Sequence, residues 1–304
     1  MRGWALASLV ANLLIVVTGG LVRLTSSGLG CPDWPRCTGA SLRPTPEMGV
    51  HSAIEFGNRL LTFVLAAVAV ATLVTAWRQR PRRRDLRRLA GALALGIPLQ
   101  AVLGGITVLT RLNPWVVTGH FVSSMVMVAL ATTLLRRSAG PGGRSVPAGG
   151  PLPRRLAAAV MATAAAVVYL GTVVTGSGPH AGDIDAVRTG LDPALVAQLH
   201  ADMVFLLVGL SVGLAVTLAA TGAPAGQRRA ALLLVAVELA QGAVGYTQYF
   251  LKLPAALVAV HMLGASLVVA AAVNLVLATR SGGQVPGDGN VSTGVDRRHV
   301  VNID

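Results

Sequence analysis

Two histidines lie inside long apolar segments of the sequence, where a polar side chain needs a partner or a function. His200 and His261 each stand six or seven residues into their segments, which is about 9–10 Å along a helix. Equal depth suits two axial ligands of a porphyrin iron held between helices. The alternative interpretation is a pair of hydrogen-bonded packing histidines.

An internal repeat relates the two halves of the chain. Gln100-Ala-Val-Leu-Gly104 precedes His120 by twenty residues, and Gln241-Gly-Ala-Val-Gly245 precedes His261 by the same twenty. Each half contains an even number of apolar segments, so both halves insert in the same orientation. The pattern therefore predicts a parallel repeat, related by an axis near the membrane normal.

The first half departs from the second at one candidate ligand position. His120 matches His261 at an offset of 141 residues, whereas the counterpart of His200 is Asn58. An amide is a poor iron ligand, so the first half is predicted to hold a haem whose iron face is open or weakly held. An enzyme with one haem as cofactor and another as substrate needs this asymmetry.

Three more polar residues stand at the start of the same segment as Asn58. His51, seven residues earlier on the same helical face, is read as a solvated interfacial histidine, or as a contact to a propionate or iron if the helix start bends. Glu55 and Arg59 are four residues apart and can pair. They either neutralise each other or place Glu55 beside the substrate as a proton-handling carboxylate, and we favour the second interpretation.

The composition indicates an integral membrane protein, because 53% of the residues are hydrophobic and 12% are charged. Runs of about 18 or more apolar residues mark membrane helices. They predict an all-α fold of eight transmembrane helices, arranged as two parallel-repeat four-helix bundles. The predicted spans are Trp4–Val22, His51–Trp77, Leu89–Leu109, Val116–Leu135, Leu156–Thr175, Leu195–Ala220, Ala230–Phe250 and Ala255–Thr279.

Four regions follow from this pattern. Residues 1–137 form the N-terminal half and residues 154–280 the C-terminal half. The Gly/Pro/Ser-rich stretch 138–153 is predicted to be a flexible cytoplasmic linker. The polar tail 281–304 lacks an apolar face and is predicted to be disordered in the cytoplasm.

The net charge of +13 comes from short arginine clusters between apolar runs, without interleaved aromatic residues. This distribution argues against nucleic-acid binding and serves instead as a topology signal. Most of the arginines follow the even-numbered segments, which places both termini in the cytoplasm and the haem sites toward the outer face. Cys31 and Cys37 then lie in an outer, oxidising compartment, where a disulfide is expected.

Taken together, these motifs resemble those of the haem A synthases. The resemblance extends over residues 4–280, and no single motif carries it alone. The motifs are Gly19–Thr25 followed by Cys31 and Cys37, then Ile54–Arg59, His120, Thr175–Asp183, Gln198–Asp202 and His261.

The resemblance implies oxidation of the C8 methyl of haem O to a formyl group by successive hydroxylations, in support of cytochrome c oxidase assembly. It implies that His200 and His261 ligate a haem b cofactor in the C-terminal half. Glu55 and His120 would serve the substrate haem, with His120 toward its iron, and Asn58, Arg59 and His51 would complete that site. Asn58 is a departure, because many members have histidine there.

The implied partners are haem O, a haem O synthase that supplies it, an electron donor of unknown identity, and membrane lipid. A homo-oligomer is also allowed.

Two other functions compete with the enzyme. A bis-histidine b-type cytochrome would need no asymmetry between the halves, so Asn58 counts against it. A haem transporter of parallel repeats would carry Gly/Pro-interrupted spans at mid-membrane, whereas the polar groups here cluster toward one end.

Overall fold

A computed structural model describes residues 1–140 and 150–280 of the chain. Within these residues it contains eight helices, each long and apolar enough to cross a membrane. The helices are α1 (Arg2–Leu24), α2 (Gly49–Arg78), α3 (Arg84–Leu109), α4 (Pro114–Ala139), α5 (Pro151–Ser177), α6 (Pro193–Ala220), α7 (Ala225–Phe250) and α8 (Ala255–Arg280), with a 3-10 turn at Pro46–Met48. The predicted all-α membrane fold is confirmed.

Several helices begin earlier than the apolar runs predicted. Helices α3, α5 and α7 each start five residues ahead of the predicted span. The added turns are rich in arginine, and hydropathy marks only the part of a helix that lies in hydrocarbon. The described ends of α4 and α5 also extend into the predicted linker 138–153, most of which lies outside the described residues. The predicted disordered tail, 281–304, lies outside them as well.

Local sequence defines where the helices begin. Helices α4, α5 and α6 start with proline, whose missing N–H costs nothing at the first helical position. Asn113 caps α4 by accepting a hydrogen bond from the Trp115 N–H at 3.0 Å. Asp192 caps α6 in the same way, through the Ala194 N–H at 2.8 Å. These caps define the first residues of α4 and α6, the helices that carry His120 and His200.

Helix contacts define two four-helix bundles side by side. In the first, α1 contacts α2 and α4, and α3 contacts the same two helices; in the second, α5 and α7 each contact α6 and α8. Within the described helices, α2 and α4 do not touch each other, and neither do α6 and α8, so each pair lies on a diagonal. The halves join where α4 meets α5 and α8, and where α1 meets α8.

Small residues allow this close packing between halves. An added Cβ on Gly20 of α1 would lie 2.7 Å from the Met262 sulfur of α8, so the glycine leaves room for this methionine between the halves. Deeper in the bundles, buried leucine and alanine side chains form a separate core in each half. A third cluster, around Val16, Val128 and Val269, fills the seam between them.

Loop contacts join the halves at the end where the histidines lie. Arg23 at the end of α1 donates to the His180 carbonyl at 2.6 Å, and the Gly28 N–H donates to the Gly182 carbonyl at 3.0 Å. The His180 ring, through Nε2, donates to the Leu253 carbonyl at 2.8 Å. The α5–α6 loop is therefore fixed to both the first half and the α7–α8 turn.

Candidate haem site

His200 is oriented by two contacts from α5. Its ring lies against Gly171, where an added Cβ would be 3.2 Å from the ring Cε1. Nδ1 is 3.1 Å from the Val167 carbonyl oxygen. Because a carbonyl only accepts, Nδ1 carries the hydrogen and Nε2 of the neutral ring keeps its lone pair. This is the arrangement that iron-ligating histidines adopt.

His261 is seated in the same way on the opposite side of the second bundle. A Cβ on Gly245 of α7 would lie 3.2 Å from its Cε1. Its Nδ1 is buried and has no hydrogen-bond partner among the described residues. His200 and His261 each lie about two turns after the first residue of their helices, α6 and α8.

The helices that carry these rings, α6 and α8, lie on a diagonal of the second bundle. Neighbouring helices pack roughly 8–10 Å apart, so a diagonal pair is separated by about 11–14 Å. Among the described residues, no three His, Cys, Asp or Glu side chains converge on one point. Two histidines therefore suit a metal that arrives with its other donors, as iron does in a porphyrin.

The His261 backbone has its own support from α7. The Gln241 Nε2 donates to the His261 carbonyl at 2.7 Å. An added Cβ on Gly264 would collide with the Gln241 Oε1, so glycine makes the space for this amide. The ligand helix is therefore held at both the side chain and the backbone of His261.

The first half repeats this arrangement at His120. A Cβ on Gly104 of α3 would lie 3.5 Å from the His120 Cε1, and the His120 Nδ1 is buried without a partner in the described structure. Gln100 bonds to the Ser124 hydroxyl at 3.2 Å, and Ser124 donates to the His120 carbonyl at 3.0 Å. Gln100 is thus connected to the His120 carbonyl through Ser124, whereas Gln241 donates directly to the His261 carbonyl.

Asn58 is the residue that the repeat pairs with His200. On α2, diagonal to α4, it faces Gly19 of α1, whose added Cβ would be 3.9 Å from the Asn58 Nδ2. Its buried Oδ1 has no hydrogen-bond partner among the described residues. Asn58 thus contacts the first helix of its bundle, as His200 does, but at a glycine that the repeat pairs with Gly176 and not with Gly171.

Glu55 and Arg59 form an ion pair with an N–O distance of 2.5 Å, and they also hold the loop between α1 and α2. Glu55 is buried, and its Oε2 accepts the Cys31 N–H at 2.5 Å. Arg59 donates to three loop carbonyls at 3.1 Å, those of Cys31, Asp33 and Arg36. Sequence spacing predicted the pair but not this grip on the loop, because the contacts bridge more than twenty residues of chain.

The predicted disulfide joins Cys31 and Cys37. It closes a short loop from which Trp34 reaches α3, so that an added Cβ on Gly105 would collide with the Trp34 ring. Adjacent glycines of α3 therefore face two directions, with Gly104 toward His120 and Gly105 toward the loop. The disulfide loop covers this end of the first bundle.

His51 lies at the exposed start of α2, and its Nδ1 is 3.0 Å from the Ser27 hydroxyl. This agrees with the interfacial interpretation.

One buried carboxyl lies outside the sites discussed so far. Glu238 on α7 accepts from Ser211 at 2.8 Å, whereas the matching positions of the first half carry Ile97 and Ala69.

The glycines that seat the histidines were not singled out from the sequence. Gly104 and Gly245 both belong to the repeated Gln-x-x-x-Gly motif, so a signal was present. Spacing alone did not show that each glycine faces the ring of the next helix. Gly171 lies outside the repeated motif and carried no such signal.

These features define an integral membrane protein of two four-helix bundles, with paired polar positions on diagonal helices near one end. Its sequence matches the model of the cytochrome oxidase assembly protein family, COX15-CtaA, over residues 2–273. The chain belongs to that family, and the predicted resemblance is confirmed at this level.

Several curated relatives carry the name heme A synthase. The protein of Lysinibacillus sphaericus (strain C3-41) is 34% identical over 138 residues, covering 44% of this chain and 43% of the relative. That of Symbiobacterium thermophilum is 32% identical over 146 residues, covering 48% and 46%. That of Listeria monocytogenes serotype 4b (strain F2365) is 28% identical over 130 residues, covering 42% of each. The chain is thus matched over less than half the length of these relatives.

Proposed function

We propose that this chain is a haem A synthase, a membrane oxidoreductase that converts the C8 methyl of haem O to a formyl group. The observation that carries the proposal is the asymmetry of the two bundles. One bundle carries two histidines on its diagonal helices α6 and α8, and the other carries His120 on α4 and Asn58 on the diagonal helix α2. Relatives named heme A synthase support the same reaction.

In the second bundle, His200 and His261 would hold the iron of a haem b cofactor. When bound, this haem would supply a redox-active iron. The Val167 carbonyl fixes the His200 tautomer, so Nε2 faces the metal. Gly171 and Gly245 leave room for the two rings, because a Cβ at either position would lie 3.2 Å from a ring carbon. This firm ligation is what a resident cofactor requires.

In the first bundle, His120 faces the iron of the substrate haem. Asn58 stands across from it and leaves that face of the iron weakly held. Weak ligation on one side suits a haem that must enter, react and leave. His51 lies in the first turn of α2 and Arg59 about two turns further on, and both would meet the polar propionate edge of the porphyrin.

Glu55 is the proton-handling group of this site. It lies three residues before Asn58 on α2, and burial excludes bulk water from its carboxylate. Arg59 and the Cys31 N–H hold the two oxygens in place. A proton received at Oε1 or Oε2 would weaken the grip on Arg59 or on the disulfide loop, so proton transfer and loop position are coupled.

Both termini are assigned to the cytoplasm and both haem sites to the outer part of the membrane. The arginine distribution supports this orientation. The structure groups the disulfide loop, the α5–α6 loop and the histidine ends of the helices. Haem O would arrive within the membrane from a haem O synthase, and a membrane electron donor would reduce the haem of the second bundle.

The test is to co-express the chain with a haem O synthase in a host without haem A and to extract the haems. A formyl haem that depends on this chain supports the proposal. A His261→Ala variant expressed at the same level is the control. Haem O alone, in cells that contain folded protein with a b-type spectrum, would instead indicate a plain cytochrome.

A further inference from the structure

A cavity of about 220 Å³ lies between α3 and α4 of the first bundle. Leu95, Leu99, Val126 and Leu130 provide most of its apolar lining, and Gln100 and Ser123 are its polar residues. Leu95, Leu99 and Val126 are exposed on the outside of the bundle, so the cavity is a groove that opens toward lipid. We name it the α3–α4 groove.

The polar end of the α3–α4 groove adjoins the substrate position. Ser123 donates to the His120 carbonyl at 3.2 Å, and Gln100 reaches the same carbonyl through Ser124. From Gln100 and Ser123 the groove continues away from His120 to Ala92 and Leu130. This is roughly 10–12 Å of helix length. The groove therefore begins within about one helical turn of His120 and runs away from it along α3 and α4.

The groove also contains an unused hydrogen-bond acceptor. The Gln100 Nε2 is occupied by Ser124, but its buried Oε1 has no partner among the described residues. A buried acceptor without a donor is costly. It suits a ligand that carries one hydroxyl at the start of an apolar chain.

The second bundle does not carry the residues that form the groove. An added Cβ on Gly96 would collide with the Met127 thioether, so Met127 lies directly over the glycine. The matching residues of the second half are Val237 and Val268, both branched and packed into the core. The space above Gly96 can widen, because the flexible Met127 side chain can change rotamer. Two valines cannot widen the space in this way, because their branched side chains are stiff.

We propose that the α3–α4 groove binds the isoprenoid tail of the substrate haem. Haem O carries a hydroxyethylfarnesyl group where haem b has a vinyl group. The hydroxyl at the root of this tail donates to the Gln100 Oε1, and the farnesyl chain lies along Gly96 and Met127. This inference rests on the proposed function and adds how the first bundle distinguishes haem O from haem b.

The experiment compares the binding of haem O and haem b to the full chain in nanodiscs, followed by difference spectra. The groove-closing variant combines Gly96→Val with Met127→Val, which copies the second bundle. We expect about a three- to tenfold rise in the Kd for haem O and no change for haem b. The effect is moderate because lipid chains are as apolar as the groove. Val102→Leu, on the exposed side of α3 outside the groove, is the matched control.

The b-type spectrum of the second bundle reports folding in every variant. If the double variant loses it, Gly96→Ala replaces that variant, since its Cβ displaces only the end of a flexible side chain. Equal changes for the two haems, or no change for either, would overturn the inference. The inference would also be overturned if the change in Kd depended on the acyl-chain length of the nanodisc lipid and not on which haem is bound.

Wild-type binding also separates this inference from the proposed function. If the first bundle binds haem O more tightly than haem b but the protein forms no haem A on co-expression, the groove inference holds and the enzyme assignment is wrong. If haem A forms but the first bundle does not prefer haem O over haem b, the enzyme assignment holds and the groove inference is wrong.

Discussion

The Gln241 amide donates a 2.7 Å hydrogen bond to the backbone carbonyl of His261. The equivalent glutamine of the first half, Gln100, reaches the His120 carbonyl only through Ser124. The difference lies in the ligand helix, where Ser124 is matched by Ala265. The His261 carbonyl therefore accepts from a side chain of the neighbouring helix, whereas the His120 carbonyl accepts from Ser123 and Ser124 of its own helix.

Replacing His200 or His261 with alanine is expected to abolish the low-spin b-type spectrum of the purified protein. Each ring would provide one of two protein ligands to the haem iron, so either substitution would remove one of them. His120→Ala is the control and should keep that spectrum. An unchanged spectrum in both the His200 and His261 variants would refute the assignment.

Gly264→Ala should weaken haem binding in the second bundle about fivefold, the value of one lost hydrogen bond. The new Cβ takes the space of the Gln241 Oε1 and displaces the amide from the His261 carbonyl. Gly242→Ala on α7 is the matched control, because its Cβ meets no atom within 4 Å.

Both variants gain helix propensity relative to glycine, so their difference isolates the effect on Gln241. Haem retention on dilution, measured by absorbance, distinguishes them. Equal retention would show that the Gln241 bond does not support the ligand.

The helices could be predicted from sequence because they depend on regular spacing, whereas the pairing of His200 with His261 at one haem stays a prediction. Apolar runs mark spans, and residues at equal depth on even-numbered helices can meet. The grip of Glu55 and Arg59 on the disulfide loop could not be predicted, since it depends on how an irregular loop folds back. The seating of each ring on a glycine also depends on helix rotation, which weakly amphipathic membrane helices do not reveal.

The Cys31–Cys37 disulfide is expected to be present in protein isolated without reductant. Mass spectrometry of non-reduced peptides should show the linked pair. The short closed loop corresponds to about 2 kcal/mol of stabilisation in the chain-entropy account. Replacing both cysteines with serine should therefore make the loop more sensitive to protease. Two thiols that alkylate freely in the untreated protein would contradict the expectation.

Arg59→Lys should loosen the same loop while the disulfide stays intact. The guanidinium reaches the carbonyls of Cys31, Asp33 and Arg36 together with Glu55, and one ammonium cannot satisfy all four. Protease cleavage within residues 25–48 should accelerate, with the b-type spectrum unchanged. Arg43→Lys, an exposed arginine of this loop, is the control. Equal cleavage of the two variants would mean that Arg59 does not hold the loop.

Glu55→Gln is expected to lower haem A formation per mole of folded protein by roughly 10²-fold or more, the usual contribution of a positioned acid or base. The amide oxygen can still accept from Cys31 or Arg59, so the loop and the C-terminal haem should be retained. Haem O should accumulate, because binding survives and proton transfer at the carboxylate does not. Glu47→Gln, an exposed acid just before α2, is the matched control.

The Glu55→Gln variant distinguishes the two interpretations of Glu55, as a proton-handling group or as a charge that only neutralises Arg59. A carboxylate that only neutralises Arg59 would lose expression or loop protection, as Arg59→Lys does, while the remaining protein stayed active. A carboxylate that handles protons would lose activity with the loop still protected. Haem A per folded protein and protease protection of residues 25–48, measured on one preparation, distinguish these results. Near wild-type specific activity would show that Glu55 is structural and that another group handles the proton.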